Sequence, residues 1–266
     1  MTDGPKTARS PAFGFDPQKV DALATGVLSI VASQKTANMA APSQELVDML
    51  CTAVKEFDPD AQQRALDHML SAGVTPAAMI DDYIPLAAHQ LGTEWCEDSV
   101  SFADVTIGTA RLQAMLRELS NDFYADLAAD PTAPNVLLVV LSDEYHTLGA
   151  MVASNQLRRQ GVSVRLKLGQ SKHDVAQELR ERDYDLFMIS ASCGENLELV
   201  RDIVKTARQA MNNAAPIALG GSIVQLKANL RALTGADVVT TDTKEALRLC
   251  ALKVQTRGGA SLQSSR

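Results

Sequence analysis

The sequence predicts an α/β protein: a five-stranded parallel sheet with helices on both faces, preceded by an all-α helical bundle. Two observations carry this. From Ser43 to about Leu127, apolar residues recur at helical spacing with short connections. From Pro134 the period changes, and five short apolar runs alternate with five helical segments, the pattern of a parallel sheet. The 266 residues allow two ordinary domains, and an apolar content of 46% suffices for a core in each.

Residues 1–42 read as a tail with one short helix over 17–33, opened by Asp16 and Pro17. Residues 43–132 form the bundle. Ser43 is placed to cap a helix over 44–56, with Leu46, Val47, Leu50 and Val54 on one face. A second helix is expected over 60–72 and stopped by Gly73, a third over 76–95 after Thr75-Pro76, and a fourth over 102–127 capped by Ser101. Residues 133–256 form the α/β unit, with strands at 136–141, 162–167, 186–191, 216–219 and 237–240. Helices are expected at 148–159, 173–182, 198–212, 222–233 and 243–254. Residues 257–266 are a Gly/Ser-rich tail expected to be disordered.

A net charge of −7 argues against nucleic-acid binding through the protein's own field, and Lys253 and Arg257 are too few to argue for DNA contact. Cys51, Cys96, Cys193 and Cys250 show no C-x-x-C spacing, so neither a zinc site nor a disulfide framework is expected. There is neither a signal peptide nor an apolar run long enough to span a bilayer, so no membrane role is expected and the reducing cytoplasm is the expected location.

The stretch NVLLVVLSDEYHTLGAMVASNQLRRQG, 135–161, organises the second unit. Its first run, 136–141, is apolar throughout, as a strand buried on both faces must be. His146 falls where this strand passes into a helix, two residues after Glu144 and three before Gly149. Ligands of open α/β sheets bind at the carboxyl ends of the strands. An imidazole there can bind a metal through one nitrogen while the other donates to a carboxylate, for which Glu144 is near enough to serve directly or through a neighbour. Gly149 leaves the start of the helix open to a bulky ligand.

The other strand ends carry small and hydroxyl residues: Ser190-Ala191-Ser192-Cys193-Gly194, Gly220-Gly221-Ser222 and Thr240-Thr241-Asp242. They leave a groove suited to a large ligand. No G-x-G-x-x-G follows the first strand and no P-loop is present, which excludes those nucleotide sites. A phosphoacceptor receiver domain would need an aspartate where the third strand ends, and Ser190 stands there.

These residues resemble the cobalamin (B12)-binding domain, whose signature is D-x-H-x-x-G, then S-x-L, then G-G. The matching elements are Glu144-Tyr145-His146-Thr147-Leu148-Gly149, Ser190-Ala191-Ser192 and Gly220-Gly221, at separations that successive βα units produce. Leu91-Gly92-Thr93-Glu94-Trp95 in the helical half is similar to the cap bundle that precedes this domain in B12 photoreceptors and methionine synthases. More narrowly, the stretch from Trp95-Cys96-Glu97-Asp98 through Leu112-Gln113 resembles the AerR/PpaA group of photosynthesis regulators.

The resemblance implies a Rossmann/flavodoxin-like B12-binding domain under a helical cap. It implies that His146 is the lower axial ligand of cobalamin cobalt, with Glu144, Tyr145, Thr147 and Gly149 around it. The nucleotide tail of the cofactor would pass Ser190, Ser192, Gly220, Gly221, Ser222, Thr241 and Asp242, and Trp95 would cover the upper face of the corrin. It further implies a light-responsive antirepressor acting on a CrtJ/PpsR-type DNA-binding repressor. Three positions depart from the pattern: Glu144 replaces the aspartate, Ser192 replaces the leucine, and Val105 and Thr106 stand where adenosylcobalamin photoreceptors carry a Glu-His pair. The last argues against a dedicated adenosyl pocket and favours a smaller upper ligand, such as water or hydroxide after photolysis. A corrinoid protein carrying methyl groups for a methyltransferase, and an interaction module that kept only the fold, suit the same residues. No catalytic set is expected: His68, His89 and His173 lie in helical segments, and no Ser/His/Asp constellation stands out.

Overall fold

The computed structural model describes residues 41–58, 60–124, 132–142, 146–192, 197–226 and 228–252, with the side chains of 121–124 excepted. The helix expected over 17–33, both tails, and the end of the helix expected to reach Leu127 lie outside these residues.

Four helical stretches make the bundle. Helix α1 (Gln44–Lys55) buries Val47, Leu50, Cys51 and Val54 along one stripe, as its sequence period requires. Ser43 stands at the N-cap but makes no side-chain cap. Its backbone N–H donates instead to the Tyr83 hydroxyl at 3.2 Å. Helix α2 (Ala61–Ser71) ends before Gly73, whose N–H donates to Leu70 O. Thr75 then caps a turn, Pro76–Ala78, through its Oγ1. A π-helical turn, Met79–Tyr83, leads into α3 (Ile84–Cys96). The expected single helix over 76–95 therefore contains a π turn. Such a turn adds one residue to the hydrogen-bonded ring without changing the apolar period enough to show in the sequence. Helix α4 (Phe102–Tyr124) starts at a reciprocal cap, in which Ser101 N and Oγ donate to Asp104 Oδ2 and Asp104 N donates to Ser101 Oγ.

The second unit is a five-stranded parallel sheet in the order β2-β1-β3-β4-β5. The strands are β1 (Asn135–Leu141), β2 (Ser163–Gln170), β3 (Leu186–Ser190), β4 (Ile217–Gly220) and β5 (Val238–Val239). Six of the seven β1 residues are buried, as an interior strand demands. Strand β2 runs past the expected Lys167 because Gly169, at φ 66°, lets the edge shift register against β1 and continue to Gln170.

The helices are α5 (Leu148–Arg159), α6 (Lys172–Glu181), α7 (Leu197–Ala210), α8 (Leu230–Thr234) and α9 (Thr243–Leu249). The helix expected over 222–233 is instead a 3₁₀ turn, Ser222–Gln225, then a separate α8 capped by Asn229. The chain leaves Gly221 in a conformation only glycine adopts easily, and Leu226 is extended, so no helix can run through. The last expected helix stops at Leu249, where Ala251 takes φ 56° and Leu252 N returns to Leu247 O.

One face of the sheet packs Leu137, Val139, Phe187, Ile189 and Leu219 against α6 and α7. The other packs Val136, Leu138, Val140 and Met188 against Ala150 and Leu157 of α5 and Ala246 and Leu247 of α9. Leu148, Met151 and Val152, also on α5, belong to the bundle core with Met79, Ile80, Tyr83 and Leu116. Helix α5 is thus shared by both cores. No described helix is long and apolar enough to cross a membrane.

A polar joint closes the shared face. Asp81 of the π turn pairs with Arg159 and accepts from Gln156 Nε2 at 3.4 Å. Burial pushes the Asp81 carboxyl above its ordinary value, and the charge and hydrogen bonding of Arg159 oppose that rise. The two side chains are 19% and 18% exposed, so each charge depends on the other. Arg159→Ala should lower the unfolding free energy by about 2 kcal/mol, below the full cost of stranding a buried charge. Adding Asp81→Asn should recover part of that loss, as read by urea denaturation of the two variants.

Candidate functional site

Strand order places β1 and β3 side by side at the centre of the sheet. The connection after β1 leads to β2 on one side, and that after β3 leads to β4 on the other. The crevice between such diverging loops is where open α/β sheets bind ligands.

His146 and Ser192 meet in this crevice. Each is half-buried. His146 comes two residues before α5, and Ser192 comes two after β3. The ring Nδ1 of His146 lies 2.7 Å from Ser192 Oγ. The Gly-Gly loop after β4 holds Ser192 from behind. Ser222 Oγ donates to Ser192 O at 2.8 Å, Ala191 N donates to Gly220 O, and Ile223 N donates to Ala191 O. A Cβ on Gly221, at φ 89°, would fall 2.3 Å from Ala191 O. Only glycine lets the two loops close in this way. The three motifs that the sequence separates are therefore one connected structure: Ser222 on Ser192, Ser192 on His146.

The remaining expected residues are placed as follows. Ser190 ends β3, paired in register with Val140 and Gly220. Thr147 accepts a hydrogen bond from Gln113 Nε2 of α4 at 3.1 Å, and Gly149 is half-buried in the first turn of α5. Glu144 and Tyr145 lie outside the described residues.

Thr241 and Asp242 sit farther along the sheet edge. They line an open cleft of about 420 Å³ with Lys244, Glu245 and Arg248. The Asp242 carboxylate caps α9 by accepting from Lys244 N and Glu245 N. Trp95 is half-buried at the end of α3, its ring 6.1 Å from that of the exposed Phe102. The bond from Gln113 to Thr147 went unforeseen in the sequence, and Ser222, expected at the site, acts through a backbone carbonyl that no side-chain pattern reveals.

A model of the B12 binding domain matches residues 134–251. A 20.5 kDa protein from the bchF-crtJ intergenic region of Rhodobacter capsulatus is 36% identical over 176 residues, which cover 66% of this chain and 92% of that protein. The chain belongs to the AerR/PpaA family of B12-binding proteins. The solved Methanosarcina barkeri monomethylamine corrinoid protein superposes on 78% of this chain and 98% of its own, with a TM-score of 0.63 at 15% identity. That likeness shows a shared fold.

The residues present suit the cofactor that the family binds. A metal carried in a macrocycle needs one axial donor from the protein, and an imidazole oriented through Nδ1 presents Nε2 for it. The Gly-Gly loop also carries a buried donor, Gln225 Nε2, with no hydrogen-bond partner among the described residues. A ligand amide or phosphate oxygen would satisfy it. The glycine clamp makes its own prediction. Gly221→Ala should cost about 3 kcal/mol, from a left-handed backbone plus a clash with backbone atoms. Thermal melts read the loss, and Gly73→Ala, whose Cβ meets nothing within 4 Å, supplies the control for backbone strain alone.

Proposed function

We propose that this protein is a cobalamin-binding, light-responsive antirepressor that acts on a CrtJ/PpsR-type repressor of photosynthesis genes. The observation that carries the reading is the His146–Ser192 pair at the β1/β3 crevice, locked by the Gly-Gly loop. The 36% identity to a protein encoded beside crtJ supports the regulatory part.

In this reading His146 would hold the cobalt through Nε2, and Trp95 would cover the macrocycle. Bound cobalamin supplies light absorption and an upper ligand that light can release. Val105 and Thr106 leave no Glu-His pair for an adenosyl group, which favours a smaller upper ligand, water or hydroxide after photolysis. Ser190, Ser192, Gly220 and Gly221 would hold the cofactor's tail. Thr241 and Asp242 belong to the outer end of the same edge.

The protein's own part is to convert ligation into a surface change. His146 stands just before α5, whose far face belongs to the bundle core, and Gln113 ties α4 to Thr147, the residue beside His146. A displacement at the ring therefore reaches both bundle helices and sheet. A ligand shifts such an equilibrium only by its difference in affinity for the two arrangements. The acidic chain then binds the repressor protein rather than DNA, in the cytoplasm and without catalytic turnover.

His146→Ala should lose the corrin spectrum of the His-ligated form, read by absorption of the protein reconstituted with hydroxocobalamin. Unchanged spectra would overturn the ligand assignment. Repressor affinity should differ about tenfold between dark and illuminated protein, equivalent to a coupling of about 1.4 kcal/mol. Equal affinities in titrations with purified repressor, together with methylation of the bound cobalt by a methyl donor, would favour a methyl-carrying role instead.

A further inference from the structure

We propose that Thr147 is a two-position switch between the bundle and the ligand histidine. While Gln113 of the bundle holds its hydroxyl, α5 goes without a side-chain cap and His146 stands against Ser192. Once released, the same hydroxyl caps α5 and turns His146 out of the crevice. The inference rests on the cobalamin-binding reading above and deepens it by naming the contact through which bundle and ligand act on each other.

Helix α5 lacks the cap that its sequence offers. Thr147 occupies the N-cap position. Threonine is favoured there because its hydroxyl can accept from the second or third N–H of the helix, here that of Gly149 or Ala150. Thr147 makes no such bond. Its Oγ1 accepts instead from Gln113 Nε2 at 3.1 Å. The backbone agrees with the hydroxyl. Thr75, Ser171 and Asp242 each cap the turn or helix that follows, and their ψ angles are 152°, 165° and 117°. Thr147 is at ψ −18°, in the helical region with Asp60 at −5°, which makes no side-chain cap either. Capping α5 therefore requires Thr147 to rotate from helical to extended.

That rotation moves the histidine. The angle ψ is a torsion about the Cα–C bond, and α5 is held between two cores. Everything on the N-terminal side of Thr147 must then turn, and His146 is the first residue to go. Its Nδ1 lies 2.7 Å from Ser192 Oγ in the tied arrangement, and capping carries the ring away from that contact. The two arrangements are closely matched, because each gives the same oxygen one neutral hydrogen bond. A bundle that withdraws Gln113 from α5 frees the hydroxyl for the helix. A cofactor that needs His146 in the crevice favours the tied arrangement, and by linkage it holds the bundle against α5.

Gln113→Met, a substitution of similar size, removes the tie and leaves the hydroxyl to cap α5. In the ligand-free protein the ¹³Cα and ¹³Cβ shifts of Thr147, which follow ψ, should change from helical to extended. With hydroxocobalamin the variant should bind about tenfold more weakly, at the low end for disturbing the setting of a metal-bound histidine. Its absorption should also show a smaller His-ligated fraction. Adding Thr147→Val deletes the capping hydroxyl, so affinity and His-ligated fraction should recover toward wild type. A tie that merely braced the fold would show no such recovery. Helical Thr147 shifts in Gln113→Met, or no recovery in the double variant, would overturn the proposal. Should Gln113→Met fail to fold, Gln113→Ala gives the same readings with the same two outcomes. The shifts are read without cofactor, so their failure is distinct from a wild-type corrin spectrum in His146→Ala, which would overturn the ligand assignment itself.

Discussion

Helix α5 is buried from both sides, and the rest of the structure follows from that. Ala150 and Leu157 are part of the sheet's core, while Leu148, Met151 and Val152 are part of the bundle's. A helix with no solvent face must also satisfy its polar residues inside. Asn155 bonds back to Met151 O, and Gln156 reaches Asp81 of the bundle and Thr243 of α9. Interiors at this density do not compress. They shift between discrete arrangements. A histidine at the start of such a helix is therefore in mechanical contact with two cores at once.

The crevice is built by a complementary device. Its walls are loops, which are ordinarily the variable parts of an α/β fold. Here they are fixed to one another. The Gly-Gly turn approaches Ala191 more closely than any side chain would permit, and Ser222 and Ser192 complete the tie.

Charge is handled locally in both units. The edge strand β2 directs Arg165 and Lys167 onto Glu178, a carboxylate 4% exposed that also accepts from Tyr184. Burial raises the Glu178 pKa, and the hydrogen bonds and cations around it outweigh that effect and hold it below its ordinary value. Cations along an exposed strand also deter edge-to-edge pairing.

Periodicity alone determined the number of strands and their places along the chain, the all-α region before them, and His146 at the end of the first strand. These depend on local patterning of apolar residues, which the chain displays in one dimension. Motif spacing likewise brought His146, Ser192 and Gly221 to one sheet edge, because strand order in a parallel sheet constrains where each loop can lie. Tertiary structure decided the rest. That Nδ1 of His146 meets the Ser192 hydroxyl, that Asp242 spends its carboxylate on a helix end, and that the run over 222–233 breaks at Leu226 depend on atoms brought together from distant segments. The π turn at Met79–Tyr83 and the tie from Gln113 to Thr147 were hidden for the same reason. A hydrogen bond between segments leaves no period in either one, so only the folded chain displays it.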